Sequence, residues 1–207
     1  MILQSLIIST IFLGCDSGTE QHSTLYEDAE NTLSSDWHTV SGNAYPYRIS
    51  AYNGSDSCVN LPVTWYKDSH GDWKNPHEYY LTLNNHNSEH ILELDVGGTG
   101  MVIPHYLLGV TLDTKYGKRT LAWDSFYNHS NITPSYTEHT NNSVTMVFPS
   151  PVELVRGFDY EKPTTWLHFK VDIEEYLHQF EPDNVILSIE RFIATGGNLD
   201  NIKLSSR

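Results

Sequence analysis

The chain has 207 residues with 26 acidic and 12 basic side chains, so its formal net charge at pH 7 is −14. That length suits one sizeable domain, and the negative charge argues against nucleic acid or an anionic membrane surface as the main partner. Thirteen Tyr residues and the absence of long Ala, Leu, Glu and Lys runs favour strands and turns over helices.

The N-terminus begins with an apolar segment, residues 1–14, which is too short to span a bilayer comfortably. Its end, Phe-Leu-Gly-Cys at residues 12–15, resembles a bacterial lipobox, in which the Cys is acylated and becomes the mature N-terminus. We predict a lipoprotein signal peptide over residues 1–15, lipidation at Cys15 and a flexible tether over residues 16–24. The predicted location is the bacterial cell envelope, at the periplasmic face of the outer membrane or at the cell surface.

Two alternatives concern this segment. An ordinary secretory signal cleaved nearby would leave the protein without a lipid anchor. The only other cysteine is Cys58, which we expect to be a small buried apolar residue if Cys15 is acylated. A Cys15–Cys58 disulfide is the alternative pairing.

From residue 25 onward, alternating apolar and polar residues bounded by turn residues predict strands. They cover residues 25–30, 37–40, 47–52, 78–83, 90–96, 105–113, 119–123, 143–148, 165–171, 185–194 and 199–204. Only residues 172–180 have helical spacing, with Asp172 as the N-cap and Pro182 ending the helix. These elements predict an all-β fold over residues 25–207, an antiparallel two-sheet β-sandwich of the jelly-roll type with one short helix.

Two acids near opposite ends of the domain fall on apolar strand faces. Side chains alternate along a strand, so Glu27 shares a face with Leu25 and Ala29, and Asp200 with Ile202 and Leu204. A carboxylate on an apolar face is costly unless it is paired or bound to a metal. If the first and last strands are neighbours, we expect both acids to hold a structural Ca²⁺, with Asp56 from a nearby loop as a further ligand.

The same residues resemble a known pattern. Secreted carbohydrate-binding modules with the galactose-binding-like jelly roll often open with an aromatic residue, Glu, a turn and a Trp, as Tyr26, Glu27 and Trp37 do here. They often end with a sequence similar to Asp-Asn-Ile-Lys-Leu, which stands here at residues 200–204. The resemblance implies that Glu27 and Asp200 help to hold Ca²⁺. Residues 26–30, 110–121 and 165–172 also resemble uncharacterised exported bacterial proteins, which implies fold and location more than activity.

A glycan is the predicted ligand, because flat aromatic rings stack on sugar C–H faces while polar side chains bind the hydroxyls. The turn-rich stretch 65–73 carries Trp65, Tyr66 and Trp73, and the predicted ligand-binding set adds Arg119, Trp123 and Tyr127. Tyr79 and Tyr80 are secondary choices. For Trp37 and Trp166 we expect core packing instead.

Other functions remain as alternatives. A polysaccharide lyase would use Arg119, Tyr127, Asn128 and His129 on a sheet to neutralise a uronate carboxylate and remove a proton. Another glycan-degrading enzyme, such as a glycosidase with two carboxylates at a defined separation, is the related alternative. The eleven histidines include His70, His77, His86 and His90, which are candidates for a transition-metal site, although solvated loop histidines are the default. An envelope interaction protein without a sugar ligand is the third class. Binding is favoured over catalysis, and no catalytic residue is assigned.

Overall fold

Two stacked sheets contain nearly all of the described strands. The computed structural model describes residues 22–30, 32–41, 44–50, 57–62, 66–67, 69–70, 73–74, 78–86, 88–97, 107–124, 133–139, 142–151 and 166–207. In chain order the strands are β1 (Ser23–Glu27), β2 (Trp37–Ser41), β3 (Tyr47–Ser50), β4 (Ser57–Leu61), β5 (Tyr66–Lys67), β6 (Trp73–Lys74), β7 (Glu78–Asn85), β8 (Ile91–Gly97), β9 (Leu107–Thr114), β10 (Gly117–Asp124), β11 (Ser135–Glu138), β12 (Val144–Pro149), β13 (Trp166–Asp172), β14 (Ile186–Ala194) and β15 (Gly197–Ser205), and the helix α1 (Ile173–His178) follows β13.

The six-stranded sheet has the order β13-β8-β15-β4-β3, and β1 pairs with the second half of β15. The seven-stranded sheet has the order β11-β12-β10-β9-β14-β7-β2. Strands β5 and β6 form a separate two-stranded ladder. Every described pairing is antiparallel except that of β10 with β12, which is parallel. The predicted all-β, two-sheet sandwich with one short helix is confirmed.

The core lies between the two sheets and follows the side-chain alternation. Strand β7 shows it most clearly, because Tyr79, Leu81 and Leu83 are buried while Glu78 and Asn84 are exposed. The facing sheet contributes residues such as Leu94 on β8. Each such side chain stabilises the fold by about 1.5–3 kcal/mol relative to exposure. This packing fixes which side chains of each sheet face solvent.

All eleven predicted strands have a counterpart, but four observed strands do not appear in the prediction: β4, β5, β6 and β11. Strand β4 lies between β15 and β3 and is buried on both faces, so it lacks the alternation that marks a half-buried strand. The first strand ends earlier than expected, at Glu27, since Ala29 has a φ of 54°. Residues 51–52 of the third predicted strand lie outside the described residues.

The structure confirms the predicted N-cap of the helix. The side chain of Asp172 accepts a hydrogen bond from the Glu175 backbone N–H at 3.1 Å, and Ile173 and Leu177 face the core. Among the described residues no helix is long and apolar enough to span a membrane. The predicted signal peptide, Cys15 and most of the tether lie outside the described residues.

Candidate functional site

The first and last strands are neighbours, as the acid pair requires. Strand β1 runs antiparallel to β15, with Glu27 opposite Ile202. Glu27 is only 4% exposed. One of its oxygens accepts the Ala29 N–H at 2.8 Å, and the other accepts the Ser34 N–H and the Trp37 indole N–H, each at 2.9 Å. The charge of Glu27 is therefore compensated by hydrogen bonds from the chain itself.

Asp200 does not share the apolar face with Ile202, contrary to the prediction. A bulge shifts the register of β15 between Asp200 and Lys203, so Leu199 and Ile202 are both fully buried. Asp200 instead pairs with Asp95 on the outer face of the six-stranded sheet. The two predicted calcium ligands thus lie on opposite faces, and the expectation that they hold one ion is corrected.

Asp200 lies in a negative environment. Burial raises its pKa to about 6, and the charges of Glu30, Asp95 and Asp28 add to the increase. Burial, with the charge of Asp200 added, raises the pKa of the Cys58 thiol to about 11, so this buried free cysteine is protonated. Within the described ranges no three His, Cys, Asp or Glu side chains are placed to hold a metal ion. Asp56, the third predicted ligand, lies outside them.

Two of the predicted glycan-binding residues are enclosed in the fold. Trp123 is fully buried and packs edge-on against Phe169, with ring centroids 5.6 Å apart. Arg119 is 5% exposed, and its Nε lies 2.9 Å from a carboxylate oxygen of Glu181. Its Nη1 donates to the Asn142 carbonyl at 2.7 Å. Both assignments are corrected, because neither side chain has surface to offer a ligand. The lyase alternative thereby loses Arg119 as a carboxylate-binding group, and its other candidate for that role, Asn128, lies outside the described residues.

The remaining predicted ligand residues are only partly covered. Trp65, Tyr127, Asn128 and His129 lie outside the described residues. Tyr66 and Trp73 belong to β5 and β6, where Tyr66 pairs with Lys74 and Lys67 with Trp73. The predicted loop 65–73 therefore contains a short antiparallel ladder. The ligand role of these aromatic residues stays a prediction.

Three other aromatic residues have definite places. Tyr79 is buried and donates its hydroxyl to the Pro62 carbonyl at 2.7 Å. Trp37 is buried as expected, edge-on to Phe192. Trp166 is not between the sheets. Phe169 on the same strand is buried between the sheets, so strand alternation puts Trp166 on the outer face of the six-stranded sheet, against Gly97.

A group of planar side chains lies on the outer face of the seven-stranded sheet. The Tyr80 ring stacks on the His38 ring with centroids 4.7 Å apart, and the Arg191 guanidinium carbon lies 4.3 Å from the Tyr80 centroid. Strands β2 and β14 flank β7, so His38 and Arg191 approach Tyr80 from opposite sides. The faces of Tyr80 are occupied. Its hydroxyl edge and the N–H groups of Arg191 remain for a ligand.

The same face carries a row of threonines that continues from Arg191 across the sheet; the Thr111 hydroxyl in this row is buried, so the others offer the hydroxyls to a ligand. The paired positions, strand by strand, are Thr82, Arg191, Thr111, Thr120, Thr145 and Thr137. Neighbouring strands are about 4.8 Å apart, so these side chains form one line at that repeat. We call this row, together with His38 and Tyr80, the outer band. Alternation places each residue outward, but only the strand registers bring them into one line.

The predicted histidine metal site finds no support among the described residues. His70 and His86 are exposed, and His90 lies 3.8 Å from Glu174. His77 lies outside the described residues. The transition-metal site therefore stays a prediction without support from the described histidines.

Comparison with known proteins gives a similar architecture and no family. No family model matches the sequence, and no curated protein matches it. Solved structures with similarity include the K1 adhesin domain of Lys-gingipain from Porphyromonas gingivalis, with 15% identity, a TM-score of 0.42, and coverage of 90% of this chain and 98% of that one.

Two other similar structures were solved in complex with sugars. The family 11 carbohydrate-binding module of Clostridium thermocellum, in complex with a mixed-linked tetrasaccharide, has 12% identity, a TM-score of 0.43 and coverage of 88% and 94%. The xyloglucanase domain of a Sinorhizobium fredii effector, in complex with cellobiose, has 9% identity, a TM-score of 0.41 and coverage of 83% and 93%. Similarities this distant do not tell what the present chain binds.

Proposed function

We propose that this protein binds a glycan along the outer band of the seven-stranded sheet. The observation that carries the proposal is the alignment of Arg191 and Tyr80 with the threonine row on one solvent-facing sheet surface. A polysaccharide presents hydroxyls at regular intervals, and a rigid sheet presents complementary donors and acceptors at a regular repeat. The proposal differs from the sequence prediction in using polar edges rather than stacked indole rings.

Preorganisation supports the role of Arg191. Its guanidinium lies over the Tyr80 ring, which restricts the side chain before any ligand arrives. A restrained side chain loses less conformational entropy on binding than a free one. Its fork of N–H donors suits paired oxygen atoms, such as two neighbouring sugar hydroxyls.

A glycan array probed with the purified full-length protein tests the proposal. We expect Arg191→Ala to weaken binding to the best glycan at least tenfold, or about 1.4 kcal/mol. The double variant T120V/T145V, which keeps side-chain shape, should also weaken it. Tyr116→Ala is the matched control, since this exposed tyrosine lies in the β9–β10 turn. An empty array, or equal loss in Arg191→Ala and Tyr116→Ala, would contradict the proposal.

We further propose that the protein is held at the bacterial cell envelope by lipid on Cys15. The support is the lipobox-like sequence at residues 12–15 and the polar tether that follows it. In cells, the wild-type protein should fractionate with membranes and Cys15→Ala should not. Mass spectrometry of the mature N-terminus should show an acylated Cys15. An unmodified N-terminus at another residue would contradict the anchor.

We also propose that a calcium ion binds at Asp200, without Glu27 as a ligand. Its support is the negative charge of Asp28, Glu30 and Asp95 near a partly buried carboxylate, which a hard cation would offset. Because the described side chains form no three-residue ligand group, backbone carbonyls, water or residues outside the described ranges would complete the coordination. We expect the melting temperature to be higher in calcium than in chelator, and Asp200→Asn to remove most of that difference. Identical melting in both conditions for the wild type would exclude a stabilising ion.

A further inference from the structure

A polar cavity of about 290 Å³ lies on the outer face of the six-stranded sheet, away from the outer band. Its lining consists of Ser23, Glu93, Lys170, Lys203 and Ser205. The registers explain this set: Glu93 on β8 lies directly between Lys170 on β13 and Lys203 on β15, and Ser23 lies opposite Ser205. The cavity is therefore built from four adjacent strands.

Glu93 holds the two lysines together. It is 7% exposed, and its oxygens lie 2.9 Å from Lys170 Nζ and 3.2 Å from Lys203 Nζ. Ser205 Oγ donates to the same carboxylate at 3.3 Å. Burial acts to raise the pKa of Glu93, but the hydrogen bonds and charges of the lysines outweigh it, so the pKa lies below its ordinary value. Glu93 is thus ionised and fully compensated.

The lysines keep binding capacity beyond Glu93. Each ammonium has three N–H donors, and the side chains of Lys170 and Lys203 are 54% and 38% exposed. Two positive charges against one negative charge give the cavity lining a net charge of +1 in a chain whose net charge is −14. This local excess of positive charge is opposite in sign to the net charge of the whole chain.

Neighbouring acids do not cancel this excess. Asp172 lies 2.6 Å from the Arg207 guanidinium, and Asp95 lies 2.9 Å from His168 Nδ1. His168 Nε2 also lies 3.6 Å from Glu93, which adds positive charge when the imidazole is protonated. Asp172 and Asp95 therefore have partners of their own, while Asp200, opposite Asp95, is the further acid on this face of β15.

We propose that this cavity binds an oxyanion carried by a small ligand, with Lys170 and Lys203 on either side and the hydroxyl of Ser23 as a further donor. Ammonium groups bind carboxylate, sulfate and phosphate oxygens as point charges, and charge-assisted hydrogen bonds are the strong ones. Ligand pockets begin at about 300 Å³, so the cavity suits one acidic sugar unit or a free inorganic anion. The site is independent of the outer band.

Calorimetric titration of the full-length protein carrying Arg191→Ala, which weakens the proposed glycan site of the outer band, tests this site, using galacturonate, galactose, sodium sulfate and sodium phosphate at constant ionic strength. We expect saturable binding of at least one oxyanion and none of galactose. Tighter binding of galacturonate would identify an acidic sugar as the source, and binding of only sulfate or phosphate would identify an inorganic anion. Galactose binding as tight as that of galacturonate, or no saturable oxyanion binding, would overturn the proposal.

Variants locate the binding. Lys170→Gln and Lys203→Gln should each lower oxyanion affinity at least tenfold. Lys118→Gln is the matched control, because Lys118 also pairs with a glutamate, Glu190, at 2.7 Å, but on the other sheet. Unchanged affinity in both test variants would place the anion elsewhere and overturn the proposal.

A variant that keeps both lysines distinguishes loss of binding from loss of folding. Ser23→Glu places a carboxylate at an exposed position of the cavity edge, so we expect it to fold and to lose oxyanion binding. Circular dichroism checks the fold. Wild-type affinity in folded Ser23→Glu would overturn the proposal as well.

Discussion

At the scale of single residues, Glu27 shows how this chain keeps a charge beside the core. Its two oxygens accept three N–H groups, one of them from the Trp37 indole. Glu27→Gln replaces one oxygen with an NH₂ group that faces donors, so at least one N–H loses its acceptor. Hydrogen bonds to charged groups contribute about 1.5–3 kcal/mol each. We expect the variant to lower the free energy of unfolding by about 2–4 kcal/mol in urea titration.

Glu190→Gln is the control for that measurement. Glu190 pairs with Lys118, and the two side chains are 32% and 63% exposed, so water screens the pair. Exposed ion pairs contribute about 0–1 kcal/mol. A loss in Glu27→Gln as small as that in Glu190→Gln would mean that the N–H groups around Glu27 find other acceptors.

Asp200 destabilises the folded state at neutral pH when no cation is bound. Its pKa of about 6 in the fold exceeds the ordinary value of 3.8, so the folded state binds a proton more tightly than the unfolded state does. Stability therefore falls as pH rises from about 4 to 6 and stays reduced above that range. Two pKa units correspond to at most about 3 kcal/mol, and partial exposure to water lowers this figure.

The variant Asp200→Asn tests that sign. In chelator at pH 7.5 we expect it to raise the free energy of unfolding by about 1–2 kcal/mol, since the buried charge is removed. Well below pH 3.8 the aspartate is protonated in both states, and the two proteins should have equal stability. A variant that is less stable at pH 7.5 in chelator would show that the Asp200 carboxylate contributes favourable contacts.

Thr111 carries a polar atom without a partner. Its hydroxyl is buried and, among the described residues, makes no hydrogen bond. Valine has the same shape without the hydroxyl, and an unsatisfied buried polar group costs about 1–3 kcal/mol. We expect Thr111→Val to raise the melting temperature in calorimetry, with Thr137→Val, at an exposed strand position, unchanged. A lower melting temperature for Thr111→Val would reveal a partner for the hydroxyl.

At the scale of elements, a buried ion pair connects the sheet to the helix. Arg119 on β10 binds Glu181, which follows α1, and Glu181 in turn accepts the side-chain N–H of Asn184. Tyr136 on β11 donates to the same carboxylate at 3.3 Å. This network ties the end of the seven-stranded sheet to the only described helix, so Arg119 has a structural role.

Removing one partner of this pair should be costly. Arg119→Ala leaves the Glu181 carboxylate in a site that is 11% exposed, without its guanidinium. Breaking a buried pair in this way typically costs about 3–5 kcal/mol. We expect a loss of that size in urea titration, against less than about 1 kcal/mol for Lys118→Ala at the adjacent exposed position. Equal losses in the two variants would mean that Glu181 is solvated once Arg119 is removed.

The bulge in β15 shows why strand alternation misplaced one acid. Regular alternation puts Asp200, Ile202 and Leu204 on one face, as predicted. Asn201 instead has a φ of 53°, and the register shifts beside it. Asparagine adopts positive φ more readily than most residues, but nothing local marks it as a bulge rather than a strand residue. The pairing with β8 and β1 determines the outcome.

At the scale of the whole molecule, the strand content was predictable because half-buried strands repeat every second residue. The eleven predicted strands and the capped helix follow from that pattern and from turn residues. Strand β4 escaped it because both of its faces are covered. The parallel pairing of β10 with β12 was unforeseen, since local sequence gives no information on which strands become neighbours.

The candidate sites were less predictable than the fold. Arg119 is charged and Trp123 is aromatic, and such residues on one strand are typical of a binding face. Both side chains nevertheless point to the interior. Arg191 and Lys203 look like ordinary exposed charges in the sequence. They gain meaning only beside Tyr80 and Glu93, which lie on other strands.

The sequence by itself determined the all-β class and the short capped helix, because alternation, capping and turn signals are local. The tertiary structure decided which side chains meet: Arg191 with Tyr80 on one outer face, and Lys170 and Lys203 with Glu93 on the other. The physical reason is strand register. A shift of one residue moves every side chain of a strand to the opposite face, and long-range pairing and bulges set that shift.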